Sequence, residues 1–100
     1  MEKAKEEIRK PLDYTNLEKK LDELDAVAFQ NAERACRMAG DPASDIIYSG
    51  NFRARLAAKA LGVPYDDVRR ADLRTYSAII ERTLNFLLQP LGEMVLRQNN

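Results

Sequence analysis

Few residue patterns in this chain could do chemistry. The clearest is Leu56 to Arg70, LAAKALGVPYDDVRR. Ala58, Gly62 and Val68 stand at the spacing of a helix-turn-helix. The alanine lets two helices approach, the glycine makes the turn, and the valine packs the second helix back. Used on DNA, such a unit sends its second helix N-terminus first into the major groove, where donors must meet phosphates and base edges. The leading residues here are Tyr65, Asp66 and Asp67. Two carboxylates at that end oppose binding, because affinity for DNA rests largely on neutralising phosphates. Arg69 and Arg70 come only at the far end. The spacing therefore predicts a packing corner, with a small DNA-binding regulator as the alternative reading.

Catalytic patterns are missing. The chain has no histidine, hence no default general base at neutral pH. It has no glycine-rich phosphate loop and no paired cysteines or histidines to hold zinc. Asp22–Glu23 and Asp66–Asp67 are adjacent pairs, and adjacent helical residues point apart rather than forming a dyad. The single cysteine, Cys36, excludes an internal disulfide. It sits among alanines on an apolar face, which predicts a buried, inert thiol. The expectation is a non-enzymatic protein with no catalytic residue, metal site or cofactor.

The elements that position these residues read as helices. One hundred residues, 45% hydrophobic and 7% aromatic, suit one small domain rich in helix-forming residues. TNLE at Thr15–Glu18 forms a capping box, with Leu17, Leu21 and Leu24 on one face behind it. Asp25 is the N-cap of a second helix whose row Phe29, Ala32 and Cys36 is flanked by Ala28, Ala35 and Ala39. Gly40 ends it. Ile46, Ile47 and Tyr48 form a short extended apolar segment. Ser49 or Asn51 caps a third helix that points Phe52, Leu56 and Ala60 inward and stops at Gly62. Pro64 opens a short helix through Arg70. Asp72 or Ala71 leads into the longest helix, with Leu73, Tyr76, Ile80, Leu84 and Leu87 as its core stripe, widened by Ile79, Phe86 and Leu88. Pro90 ends it. The fold class is all-α: a compact orthogonal domain of about five helices with a helix-turn-helix-like corner. Residues 1–100 form this single domain, with 1–14 a flexible or helical arm and 90–100 an apolar tail.

Sixteen basic and sixteen acidic side chains cancel, and a pI of 6.3 offers no electrostatic footprint for nucleic acid or anionic lipid. Residues 51–100 are mildly positive, through Arg53, Arg55, Arg69, Arg70 and Arg74. No apolar run approaches membrane-spanning length, and the N-terminus lacks a signal-peptide core. A cytoplasmic protein of a bacterial host is expected.

Taken in order, LDAVAFQNAERACRMAGDP, then IIYSGNFRARLAAKALGVPYDDV, then LRTYSAIIERTLNFLL resemble the small all-helical phage tail assembly chaperones of siphophages and prophages. The resemblance spans about residues 24 to 88, and AAKALGVP and NFLL are its most specific parts. The preceding EIRKPLDYTNLEKKL is more helical in pattern than the extended segment family members carry there. The resemblance implies a protein that binds the tape measure protein, self-associates along it, and leaves before the virion is finished. It also implies the tail tube protein as a partner of a frameshifted longer form.

A chaperone for a long helical protein needs an apolar helix-binding surface. Phe86, Leu87, Leu88, Leu91, Met94 and Val95 exceed what one inward face should hold, and are the candidate partner-binding residues. Ile46, Ile47 and Tyr48 are a second candidate patch. The remaining alternative is an adaptor in another assembly.

Overall fold

Five α-helices and one 3-10 turn make up the secondary structure of residues 12–89, the part of the chain that the computed structural model describes. The helices are α1 (Leu17–Asp22), α2 (Ala26–Met38), α3 (Gly50–Leu61), α4 (Tyr65–Arg69) and α5 (Leu73–Leu88), with the 3-10 turn at Ile46–Tyr48. The described residues contain no strand, so the chain is all-α as its pattern predicts.

Local chemistry sets most boundaries. The carboxylate of Asp25 accepts from the Ala28 amide at 3.1 Å, and that of Asp72 accepts from Thr75 at 3.1 Å. The hydroxyl of Ser49 accepts from Phe52 at 3.2 Å. Each satisfies an amide that the first helical turn leaves unpaired. Two helices end on left-handed glycines, Gly40 at φ 91° and Gly62 at φ 72°. Past Gly40 the Asp41 amide returns to the Cys36 carbonyl at 3.0 Å. Past Gly62 the Val63 amide returns to the Ala58 carbonyl at 3.1 Å. Both closures are of the Schellman type.

Helix α3 is the hub, packing against all four other helices and the 3-10 turn. Its buried residues Phe52, Ala54, Leu56, Ala57 and Ala58 are spread around most of its circumference, as a helix enclosed on several sides requires. The alanines let neighbours approach closely. Phe52 is fully buried and meets Phe29 of α2 edge to face, ring centroids 4.8 Å apart, an arrangement worth about 1 kcal/mol beyond area burial. Leu17 and Leu21 from α1, Val68 from α4 and Ile79 from α5 complete the core.

Three expectations are corrected. Thr15 and Glu18 form no capping box: Asn16 precedes α1 without a side-chain cap, and Glu18 is drawn away to Arg82 on α5. Ile46–Tyr48 is a 3-10 turn rather than extended, because Asp45 caps it at Ile47. Leu73 is 78% exposed, and the buried side chains of α5 are Ile79 and Thr83. The Thr83 hydroxyl tolerates full burial by donating to the Ile79 carbonyl at 2.8 Å. Leu12 and Tyr14 also pack against the core. No described helix is long and apolar enough to cross a membrane.

Candidate functional site

The five arginines that account for most of the positive charge in the second half of the chain have different surroundings. Arg53 is spent on backbone: its guanidinium donates to the carbonyls of Ser49 at 3.3 Å, Ile80 at 3.2 Å and Tyr48 at 3.4 Å, tying α3 to α5 and to the 3-10 turn. Arg69 donates twice to one carboxylate oxygen of Asp66, at 2.9 and 2.6 Å, and Arg70 lies 3.5 Å from the other. Its hydrogen bond to Arg69 holds the Asp66 carboxyl below the usual carboxylate range. The basic end of α4 is thus neutralised by its acidic start. Arg74 is exposed.

Arg55 is different. It projects from α3 toward α2 and α4, with its guanidinium carbon 4.2 Å from the Tyr65 ring centroid in a cation–π stack. Its Nε is buried without a hydrogen-bond partner. No described carboxylate forms an ion pair with it. The side chain lines a cleft of about 230 Å³ together with Cys36, Gly40, Asp41, Asn51 and Tyr65. Asp41 in that cleft is already engaged: one oxygen accepts from the Ala43 amide at 3.0 Å and the other from the Ser49 hydroxyl. Those bonds, led by Ser49, hold its carboxyl down. Burial pushes the Cys36 thiol up, against the opposing pull of Arg55, so this cysteine is held as the protonated thiol expected of an inert core residue.

Arg55 and Tyr65 also line a second, adjoining groove of about 300 Å³ between α2 and α3. Its walls are small and apolar: Ala28, Ala32 and Ala35 from α2, Ala58 from α3, and Val63 at the turn. Asn31 and Lys59 edge it. Val27 and Met38, 56% and 81% exposed, share a helical row with Asn31 and place apolar side chains on α2 near both of its ends. The α2 alanines were legible as a close-packing face. Part of that face remains open instead.

The residues proposed from sequence are dispersed. Ile46 belongs to the core, 4% exposed; Ile47 is half-buried against it, and only Tyr48 is open to solvent. Phe86 and Leu87 pack partly against the core, while Leu88 is 50% exposed. Leu91, Met94 and Val95 lie outside the described residues, as does Pro90. Sequence reasoning missed Arg55 and Tyr65 as a pair. The available signal was an arginine between buried positions of an otherwise apolar helix, FRARLAA. Among the described residues no cluster of three histidine, cysteine, aspartate or glutamate side chains could hold a metal ion. Comparison with protein-family models, with curated proteins and with solved structures finds no match to this chain.

Proposed function

We propose that this protein is a non-enzymatic helix-binding chaperone of phage tail assembly, whose partner is the tape measure protein. The observation that carries the reading is the open groove between α2 and α3, walled by alanines and flanked by exposed Val27 and Met38. Small side chains let a partner helix approach closely and lay its apolar stripe along the trough. The span from residue 27 to residue 38 corresponds to about 16 Å of helix, enough for roughly three turns of a partner. The phage partner itself comes from the resemblance of residues 24 to 88 to the tail assembly chaperones. Self-association belongs to the C-terminal end of α5, where Leu88 is half-exposed, and to the apolar residues that follow it.

The helix-turn-helix geometry at Ala58, Gly62 and Val68 adds no second proposal, because Asp66 occupies both Arg69 and Arg70.

Co-expression of the tape measure protein with this chain tests the reading. The wild type is expected to keep it soluble. Ala32→Trp, which fills the groove from a partly exposed position, is expected to leave it insoluble while circular dichroism shows the chaperone folded. Unchanged solubility with the filled groove overturns the assignment.

A further inference from the structure

We infer that the cleft at Arg55 receives a carboxylate side chain carried by a helix seated in the adjoining groove. The inference rests on the helix-binding reading above and adds the chemistry that the partner must supply.

Three observations carry it. The Arg55 Nε is buried with no hydrogen-bond partner. That nitrogen is closed to an incoming group, so an acceptor entering the cleft meets the terminal nitrogens instead, and a bidentate carboxylate matches that fork. The Tyr65 ring holds the guanidinium, 4.2 Å from ring centroid to guanidinium carbon. That contact limits where the donors of Arg55 can meet an acceptor. The same two side chains, Arg55 and Tyr65, border both the polar cleft and the apolar groove. A partner lying in the groove therefore brings its side chains to the mouth of the cleft.

Charge favours a single negative group. Asp41 lines the cleft and is engaged by Ser49 and Ala43. A dianionic phosphate would face that carboxylate, whereas a side-chain carboxylate brings one charge and a planar fork. Lys59 on the groove edge adds a second cation outside the cleft. The partner segment is thus a helix with a small-residue apolar stripe interrupted by aspartate or glutamate.

The probe is a set of stapled helical peptides of about 15 residues, a length at which unstapled helices are marginal in water. One glutamate is stepped through the positions of an alanine–leucine stripe, and each peptide has a glutamine twin. Binding to the full chain is read by fluorescence anisotropy at fixed ionic strength. In the best register the glutamate peptide is expected to bind about tenfold tighter than its twin. Arg55→Met should abolish that advantage, and Tyr65→Phe, which keeps the ring face, should preserve it. The comparison on the wild type stands even where Arg55→Met fails to fold. Equal binding of twins in every register overturns the inference and leaves the helix-binding reading intact. Binding of no peptide overturns the helix-binding reading itself. A glutamate advantage that survives Arg55→Met removes the role of Arg55. Displacement by inorganic phosphate or duplex DNA at constant ionic strength assigns the cleft to phosphate and overturns the carboxylate.

Discussion

Arg82 on α5 reaches the carboxylate of Glu18 on α1 across 64 positions of sequence, donating from Nε at 2.7 Å and again from a terminal nitrogen. The guanidinium also lies 5.3 Å from the Tyr14 ring centroid. One side chain thereby fastens the last described helix to the first. Both partners are partly exposed, 31% for Arg82 and 46% for Glu18, so solvent screening reduces the value of the pair. A double-mutant cycle with Glu18→Gln and Arg82→Gln is expected to return a coupling of about 0.5 kcal/mol in urea unfolding. Arg82→Lys should lose most of it, because an ammonium cannot reproduce the fork.

The apolar stripe of α5 makes two sharply different forecasts. Ile79 is fully buried and Leu73 is 78% exposed. Ile79→Ala is expected to cost about 3 kcal/mol, combining lost transfer energy with a cavity. Leu73→Ala is expected to stay within about 0.5 kcal/mol, since it touches no core. Chemical denaturation of the two variants checks the register of the helix directly.

That register marks the limit of what the chain's pattern could tell. The cap at Asp25, the caps narrowed to Ser49 or Asn51 and to Asp72 or Ala71, and the stops at Gly40 and Gly62 were legible because each is decided within a few residues of backbone. Leu73 looked inward because its side chain is apolar. One of the two positions that are buried, Thr83, looked polar, and only its bond to the Ile79 carbonyl makes burial tolerable. Thr15 and Glu18 had the residues of a capping box, but Arg82 competes for Glu18 from the far end of the chain. The candidate site was hidden for the same reason. Arg55 and Tyr65 meet across the Gly62 turn, and the cleft they line with Cys36 and Asp41 exists only after α2 has docked on α3.

Glycines separate in the same way by conformation. Gly62 sits at φ 72°, with nothing within 4 Å of where a Cβ would stand. Gly62→Ala is therefore strained by backbone alone and is expected to cost about 1 kcal/mol. Gly50 opens α3 without a positive φ, and a Cβ there meets only the Tyr76 hydroxyl at 3.4 Å. Gly50→Ala is expected to be neutral within about 0.5 kcal/mol, because the gain in helix propensity offsets a contact with a movable side-chain tip. Thermal unfolding of both variants should show one lowered midpoint and one unchanged.

Acid should unfold this protein through its capping and paired carboxylates. Asp41 is held down by Ser49, Asp66 by Arg69, Asp72 by Thr75 and Glu18 by Arg82. A carboxyl that is more acidic in the native state binds fewer protons there than in the unfolded chain. Its contribution is fully present above the ordinary values of 3.8 for aspartate and 4.5 for glutamate. It is lost as the pH falls through the depressed native values. The chain has no histidine, so side-chain titration leaves stability nearly flat between about pH 5 and pH 8. Ser49→Ala isolates one member of the set. It removes the cap on Phe52, a pH-independent loss of about 1 kcal/mol, and the hydroxyl that lowers Asp41. The variant should trail the wild type by more at pH 7 than at pH 2.5. As the pH falls through the depressed native value Asp41 takes up its proton, and the difference narrows toward the loss of the cap. Urea titrations at the two pH values measure that narrowing. A gap of constant size would show that the Ser49 hydroxyl stabilises the fold through Phe52 alone.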